Sequence, residues 1–139
     1  LTLHDERVVV TGRIDRIDVG LAAGRAVFTI VDYKTGRGYG YSKNAVLSGQ
    51  ALQLTLYAMA AEKLLLRDDA AVPWQFGYWF IAESGFKKTL LLHQVEESDV
   101  RPTEEWTELR GRIVDRVVSL VRGIRSGQFP MHSADENCT

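Results

Sequence analysis

The chain has 139 residues, 45% of them hydrophobic, a size that suits one domain with its own core and is too small for two. Its 17 Lys and Arg residues against 18 Asp and Glu give a net charge of -1, which excludes a global attraction to nucleic acid or to a membrane. A single cysteine, Cys138, excludes an internal disulfide, and without a secretory or membrane-spanning segment in the sequence the expected compartment is the cytoplasm.

The first half of the chain predicts a β-hairpin followed by a helix. RVVVTGRIDRIDV at 7–19 and RAVFTIVDY at 25–33 are rich in β-branched residues with period-two alternation, which is typical of strands. The short glycine-bearing link GLAAG between them favours an antiparallel pair. GQALQLTLYAMAAEKLLL at 49–66 consists mainly of strong helix formers without proline and predicts a helix.

The second half predicts another strand pair and a long helix. WQFGYWFIA at 74–82 and KKTLLLHQV at 87–95 flank the turn ESGF, and the aromatic run fits a buried central strand better than a base-stacking platform. Thr103, followed by two glutamates, predicts the start of a helix that runs to Ser126. Gly127 and Pro130 are expected to end it. Spacing of three and four predicts an apolar face made of Leu109, Ile113, Val117, Leu120 and Ile124.

An acid and a lysine stand two residues apart in VDYKTG at 31–36. Asp32 and Lys34 should share one strand face, about 6.6 Å apart at their Cα atoms. Asp15 in GRID is expected across the hairpin, and two carboxylates close together repel unless a cation lies between them. Magnesium prefers carboxylate oxygens, water and phosphate oxygen, so the two aspartates with one backbone carbonyl form an open site beside Lys34. This chemistry is phosphodiester hydrolysis.

Other interpretations fit each part by itself. An acid and a lysine at a strand end are commonly a solvated ion pair, and the alternating charges of GRIDRID equally fit an exposed hairpin. Gln53 and Tyr57, four apart in QLTLY, share a helix face from which an amide and a phenol can position a lysine, a water or a phosphate. On an isolated helix they would be a surface amide and a core aromatic.

Taken together and in this order, GRIDRID, IVDYKTG and QLTLY resemble the RecB-type nuclease domains of the PD-(D/E)XK superfamily, which include those of the RecBCD and AddAB helicase-nucleases. The resemblance implies an α/β restriction-endonuclease-like fold, a mixed central sheet flanked by helices in the order strand, strand, helix, strand, strand, helix. It implies metal ligation by Asp15, Asp32 and the carbonyl of Tyr33. The catalytic residues that it implies are Lys34, Asp32, Asp15, Gln53 and Tyr57.

The sequence departs from this family at both ends. The family's further ligand, a His or Glu on a helix before the first strand, has no counterpart here, and His4 is expected to be a surface histidine. We therefore expect 1–139 to be one nuclease domain that lacks the family's N-terminal helix, a fragment that binds metal weakly. One thiolate, Cys138, cannot hold a cluster that needs four ligands, so no iron-sulfur cofactor is expected.

The resemblance also implies partners. It implies a magnesium-dependent DNA exonuclease, with manganese as a substitute ion, acting on a single-stranded end within a helicase-nuclease of DNA repair or recombination. Arg37 and Lys43 are candidate phosphate contacts in and beside the glycine-rich stretch GRGYGYSKN, which equally fits a plain connector. Asp18, on the other strand face from Asp15, is expected to be either structural or a partner for Arg16. The alternative function is a non-catalytic module of the same fold that binds DNA or a helicase, and RNA stays open as a substrate.

Overall fold

A mixed β-sheet with helices against one face forms the centre of the molecule. The computed structural model describes residues 1–36, 42–48, 52–83 and 85–128. The elements in chain order are β1 (Thr2–Leu3), β2 (Glu6–Arg7), β3 (Arg16–Ala22), β4 (Arg25–Lys34), α1 (Lys43–Leu47), α2 (Gln53–Ala60), β5 (Val72–Phe80), β6 (Gly85–Leu91), β7 (His93–Glu96), β8 (Asp99–Pro102) and α3 (Glu104–Arg125). A π-helical turn, Ala61–Leu65, continues α2, and a short 3-10 turn, Ile81–Glu83, follows β5.

The main sheet has the strand order β3-β4-β5-β6. β4 and β5 are parallel, whereas β3 with β4 and β5 with β6 are antiparallel, so the sheet is mixed, as predicted. The parallel pair is connected through α1 and α2, which is the crossover that parallel strands require. A mixed sheet flanked by helices is the α/β arrangement that the sequence predicts.

The hairpin β3–β4 is antiparallel, as predicted, but shorter on its first strand than the sequence indicates. Its ladder runs from Arg16 opposite Val31 to Ala22 opposite Arg25, so only Ala23 and Gly24 form the turn. The expected strand 7–19 is wrong for its first part, because residues 8–15 pair with no strand in the described structure. This segment instead lies against the core through the buried Val8 and the half-buried Val10 and Ile14. Its apolar alternation reflects packing rather than strand pairing.

The core lies between one sheet face and the two longer helices. Phe76 of β5 meets Trp106 of α3 edge-on, with ring centroids 6.3 Å apart. Alternate residues of β4 and β5 point into this layer, as expected for a sheet with one face against helices. The members of the core with 1% exposure or less include Phe28, Ile30, Leu54, Met59, Phe76, Leu92, Trp106 and Ile113.

A small hairpin covers part of the opposite face of the sheet. The predicted strand 87–95 is divided, because β6 ends at Leu91 and β7 begins at His93. The intervening Leu92 is fully buried, and its N–H donates to the carbonyl of Trp74 at 2.8 Å. β7 then pairs with β8, a strand that the sequence interpretation missed, and Val100 of β8 packs beside Val27 and Val72.

α3 begins and ends as predicted, but its buried stripe stops before the helix ends. Thr103 is the N-cap and its hydroxyl accepts a hydrogen bond from the N–H of Trp106 at 3.2 Å, while Gly127 follows the helix with a φ of +74°. Leu120 and Ile124 are 50% and 58% exposed, which corrects their prediction as core residues. The buried positions of α3 are Trp106, Leu109, Ile113, Val117 and Val118, so no residue of the helix beyond Val118 is buried.

The far end of α3 is fixed to the N-terminal hairpin. Arg122 Nε donates to Glu6 Oε1 at 2.9 Å, and Arg125 contacts the other carboxylate oxygen of Glu6 and the carbonyl of Arg7. The hydrogen bond from Arg122 is the main reason that the pKa of Glu6 lies below its usual value. Among the described helices, none combines the length and apolar character needed to cross a bilayer.

Candidate active site

The acid and the lysine meet at the carboxyl end of β4. Asp32 is 4% exposed, and its Oδ2 lies 2.5 Å from Nζ of Lys34, whose side chain is 20% exposed. The structure therefore confirms that both side chains lie on one face. Apart from this ion contact, Oδ2 of Asp32 has no hydrogen-bond partner among the described residues. A buried carboxylate oxygen that accepts no hydrogen bond is suited to bind a cation as a further partner.

Asp15 is held against the same strand from the other side of the hairpin. It directly precedes β3, whose first residue, Arg16, pairs with Val31 of β4. Its Oδ2 accepts a hydrogen bond from the backbone N–H of Tyr33 at 3.0 Å. The carboxylate of this exposed residue is thus fixed beside the peptide that joins Asp32 to Lys34.

The available donors fit a magnesium-type ion, though sparsely. Among the described residues, no three side chains of His, Cys, Asp or Glu converge on one point. The two aspartates and the carbonyl of Tyr33 would supply three oxygens, and water or phosphate oxygen would have to complete the coordination, which magnesium accepts. The structural observation that favours this fit is that Oδ2 of Asp32 is buried and makes no hydrogen bond to a described residue beyond its ion contact with Lys34.

The ring of Tyr78 contacts the ammonium group of Lys34. Tyr78 pairs with Asp32 in the parallel β4–β5 register, so the two side chains share a face, and it is 2% exposed. Nζ of Lys34 lies 5.6 Å from the centroid of its ring, within the range of a cation–π contact. The sequence interpretation missed this residue, although its place in the strand alternation of WQFGYWF was a signal that it faces the core.

Gln53 and Tyr57 contact each other on α2, as their spacing predicts. Nε2 of Gln53 donates to the hydroxyl of Tyr57 at 3.2 Å. A Cβ added at Gly12 would lie 2.8 Å from Cε1 of Tyr57, so the ring rests directly on the chain that leads to Asp15. Tyr57 of α2 therefore contacts the segment before β3 that carries Asp15, and it does so at Gly12, a residue to which the sequence assigns no role.

The remaining predicted residues fall in different places. Asp18 accepts a hydrogen bond from Nε of Arg16 at 2.7 Å, which confirms the predicted pair. Lys43 lies 2.8 Å from a carboxylate oxygen of Glu105 at the start of α3, and its role at DNA stays a prediction. Arg37 lies outside the described residues, as does Cys138. His4 is exposed, as predicted, with Nε2 2.8 Å from Asp115.

Comparison with known proteins decides the family. The sequence profile of the PD-(D/E)XK nuclease superfamily matches residues 2–139, almost the whole chain. The chain belongs to the PD-(D/E)XK nuclease superfamily. It is also similar to one of the subunits of the ATP-dependent helicase/deoxyribonuclease of Moorella thermoacetica, with 46% identity over 55 residues, which are 40% of this chain and 5% of that protein. The comparison with solved structures gives no match.

Membership in this superfamily confirms the family predicted from the sequence. PD-(D/E)XK nucleases generally use divalent metal ions, which agrees with the oxygen donors at the end of β4. The chain spans only 5% of the length of its curated relative, so the activity and partners of a whole helicase-nuclease are not transferred to it by that similarity.

Proposed function

We propose that this chain is the nuclease domain of a metal-dependent deoxyribonuclease that works with a helicase in DNA repair or recombination. The observation that carries the proposal is the contact of the buried Asp32 with Lys34, with Asp15 fixed across the hairpin by the N–H of Tyr33. Superfamily membership supports nuclease chemistry, and the similarity to part of a helicase/deoxyribonuclease supports DNA as the substrate. We infer action at single-stranded DNA ends in the cytoplasm.

Each residue of the site has its own role in the proposed reaction. Asp15, Asp32 and the carbonyl of Tyr33 would hold magnesium or manganese, and the bound ion would act as a Lewis acid on the scissile phosphate. Lys34 orients the attacking water and offsets the negative charge that grows on the phosphate during in-line displacement. Gln53 and Tyr57 would position the phosphate or Lys34 from the side of α2.

Manganese binding to the full-length protein tests the ligand assignment. Asp32→Asn and Asp15→Asn should each weaken manganese binding in isothermal titration calorimetry. Asp18→Asn is the matched control, because Asp18 lies three residues beyond Asp15 and is occupied by Arg16. Unchanged manganese affinity in Asp32→Asn would show that the ligands are elsewhere.

Cleavage of labelled DNA tests the role of the lysine. Lys34→Ala should lower the cleavage rate of single-stranded DNA by roughly 100-fold or more, the cost typical of losing one group that stabilises the transition state. Oligonucleotides labelled at either end, and RNA of the same sequence, would show the direction of digestion and the substrate. Normal cleavage by Lys34→Ala would refute the role assigned to this residue.

A non-catalytic DNA-binding or helicase-binding module is the second candidate. It is favoured by the small number of side-chain ligands, since no three metal-ligating side chains converge in the described parts of the chain. This candidate predicts that the wild-type protein does not cleave labelled DNA and that Asp32→Asn leaves manganese binding unchanged, so the same two experiments separate the candidates.

A further inference from the structure

The face of the sheet opposite Asp32 and Lys34 carries a row of aromatic side chains. Tyr33 lies between those two residues in β4 and therefore points the other way. It pairs with Trp79 in the parallel register with β5, and Trp79 pairs with Phe86 of β6. Tyr33, Trp79 and Phe86, which we call the aromatic strip, thus come from three adjacent strands and share one face. Each lies one residue from an end of its strand.

The strip is open to solvent. Tyr33 is 39% exposed, and Trp79 and Phe86 are partly exposed. The rings of Tyr33 and Trp79 are tilted by 56° with their centroids 6.3 Å apart. The β7–β8 hairpin covers only the other end of this face, where Val100 packs on Val27 and Val72.

Gly77 gives the ring of Phe86 its place on the sheet. A Cβ added at Gly77 would lie 2.8 Å from Cε2 and Cζ of Phe86 and 2.2 Å from the carbonyl oxygen of Lys87. The ring therefore lies over a position that has no side chain, close to the backbone of β5. Because Gly77 has no side chain, the ring of Phe86 can occupy this position and extend the aromatic strip along the sheet.

A guanidinium group stands at the β3 end of the strip. The Cζ atom of Arg16 lies 5.9 Å from the centroid of the Trp79 ring, and Nη1 donates to the hydroxyl of Tyr33 at 3.3 Å. Its side chain is 43% exposed, although its Nε is occupied by Asp18. An arginine side chain is always cationic at neutral pH, so this group carries a positive charge beside the strip.

Exposed aromatic rings next to an arginine are the combination that binds single-stranded nucleic acid. Bases stack on the rings without regard to sequence, and the cation contacts the phosphates. Duplex DNA does not offer its base faces in this way, because they are stacked inside the helix. The charge of the whole chain gives no general attraction for DNA, so a local surface of this kind must supply it.

We propose that the aromatic strip and Arg16 stack the bases of a single DNA strand whose phosphate backbone passes around this end of the sheet to the Asp32–Lys34 pair. The chain itself supports this path, because Tyr33, a member of the aromatic strip, lies between Asp32 and Lys34 in the sequence. The inference rests on the proposed nuclease function and adds to it a contact with the bases of the strand, outside the reacting phosphate.

The test measures the affinity of the full-length protein for a fluorescein-labelled thymidine oligonucleotide by anisotropy, in EDTA so that no cleavage occurs. Trp79→Leu should weaken binding by roughly 5- to 150-fold, the loss that corresponds to one stacked base. Trp79→Phe, which keeps a ring, should retain most of the affinity. An abasic oligonucleotide of the same length should bind wild type and Trp79→Leu equally.

Two results would overturn the proposal. One is equal affinity of wild type and Trp79→Leu for the oligonucleotide, with circular dichroism showing both proteins folded. The other is that Trp79→Leu spares DNA affinity but weakens binding of a purified helicase partner, which would make the strip a protein contact. Because binding is measured without metal, failure of the strip and failure of the Asp32–Lys34 assignment give different patterns.

Discussion

Asp32 lies on the same face of β4 as Ile30, which is fully buried. Burying a carboxylate to 4% exposure costs desolvation free energy, and one ammonium group at 2.5 Å offsets only part of that penalty. Replacing such a pair by apolar residues would often stabilise a sheet. The presence of the pair at the end of β4 is therefore better explained by chemistry than by stability.

Tyr78 should act as a positioning residue for the ammonium group of Lys34. A cation–π contact of this kind is worth about 0.5–2 kcal/mol, so Tyr78→Leu should lower kcat by roughly 2- to 30-fold. Tyr78→Phe keeps the ring and should retain more of the rate. Steady-state cleavage kinetics, with thermal melting to verify folding, would make the comparison. Equal rates for Tyr78→Leu and wild type would contradict this role.

Gly12 should tolerate no side chain, because a Cβ there would lie 2.8 Å from Tyr57. We expect Gly12→Ala to lower the free energy of unfolding by about 1–3 kcal/mol, since Tyr57 or the chain before Asp15 must move. Gly20→Ala is the matched control, because a Cβ at Gly20 would meet nothing within 4 Å. Urea denaturation measures both variants.

A double-mutant cycle assigns the cost to the contact itself. In a Tyr57→Leu background, Gly12→Ala should cost less than in wild type. Similar losses for Gly12→Ala and Gly20→Ala would mean that the contact with Tyr57 does not constrain this segment.

At the scale of elements, α3 owes its starting point to Thr103. The Thr103 hydroxyl accepts from the N–H of Trp106 and donates to the carbonyl of Leu91 at 3.0 Å, which ties the helix start to the end of β6. Thr103→Ala should lower the free energy of unfolding by about 1 kcal/mol or slightly more. Thr107→Ala, one turn later and exposed, should change it by less than about 0.5 kcal/mol.

Thermal or chemical denaturation checks this pair of variants. A loss at Thr107→Ala as large as that at Thr103→Ala would show that helix propensity, rather than the cap, accounts for the effect.

Elements with strong local signals were predictable from the sequence, and those that depend on distant contacts were not. The start of α3 followed from Thr103 and two glutamates, and β4 followed from its β-branched alternation. The division of 87–95 at Leu92 depends on its hydrogen bond to Trp74 in β5, which no local pattern reveals. The exposure of Leu120 depends on where α3 leaves the core, and no residue of the helix after Val118 is buried.

The same distinction holds for the site. The face shared by Asp32 and Lys34 followed from strand periodicity, and the Gln53–Tyr57 contact followed from helix periodicity. The cation–π contact of Tyr78 needs the register between β4 and β5, which is set by packing rather than by either strand alone. The catalytic roles of all these residues stay predictions.

For the molecule as a whole, the buried His93 makes stability depend on pH. Its Nδ1 lies 2.6 Å from the carbonyl oxygen of Pro73 and so carries the proton, since a carbonyl only accepts. Burial lowers the pKa of His93 below its usual value of 6.5, despite the opposing effect of this hydrogen bond. Below about pH 6.5 the unfolded chain takes up a proton that the folded chain resists, so stability should fall as the pH falls.

Melting temperatures measured between pH 8 and pH 5 would reveal this dependence. His93→Gln should be less stable overall but should flatten the slope below about pH 6.5. A slope that persists in His93→Gln would assign the proton uptake to another group.

The proposed metal site consists of oxygen atoms of Asp15, Asp32 and the Tyr33 carbonyl, which bind one divalent ion beside Lys34. Anomalous diffraction from crystals of the full-length protein soaked in manganese tests it most directly. We expect one anomalous peak in contact with both carboxylates and the Tyr33 carbonyl. A peak bound elsewhere, or the two carboxylates turned to different sides with no ion between them, would contradict it.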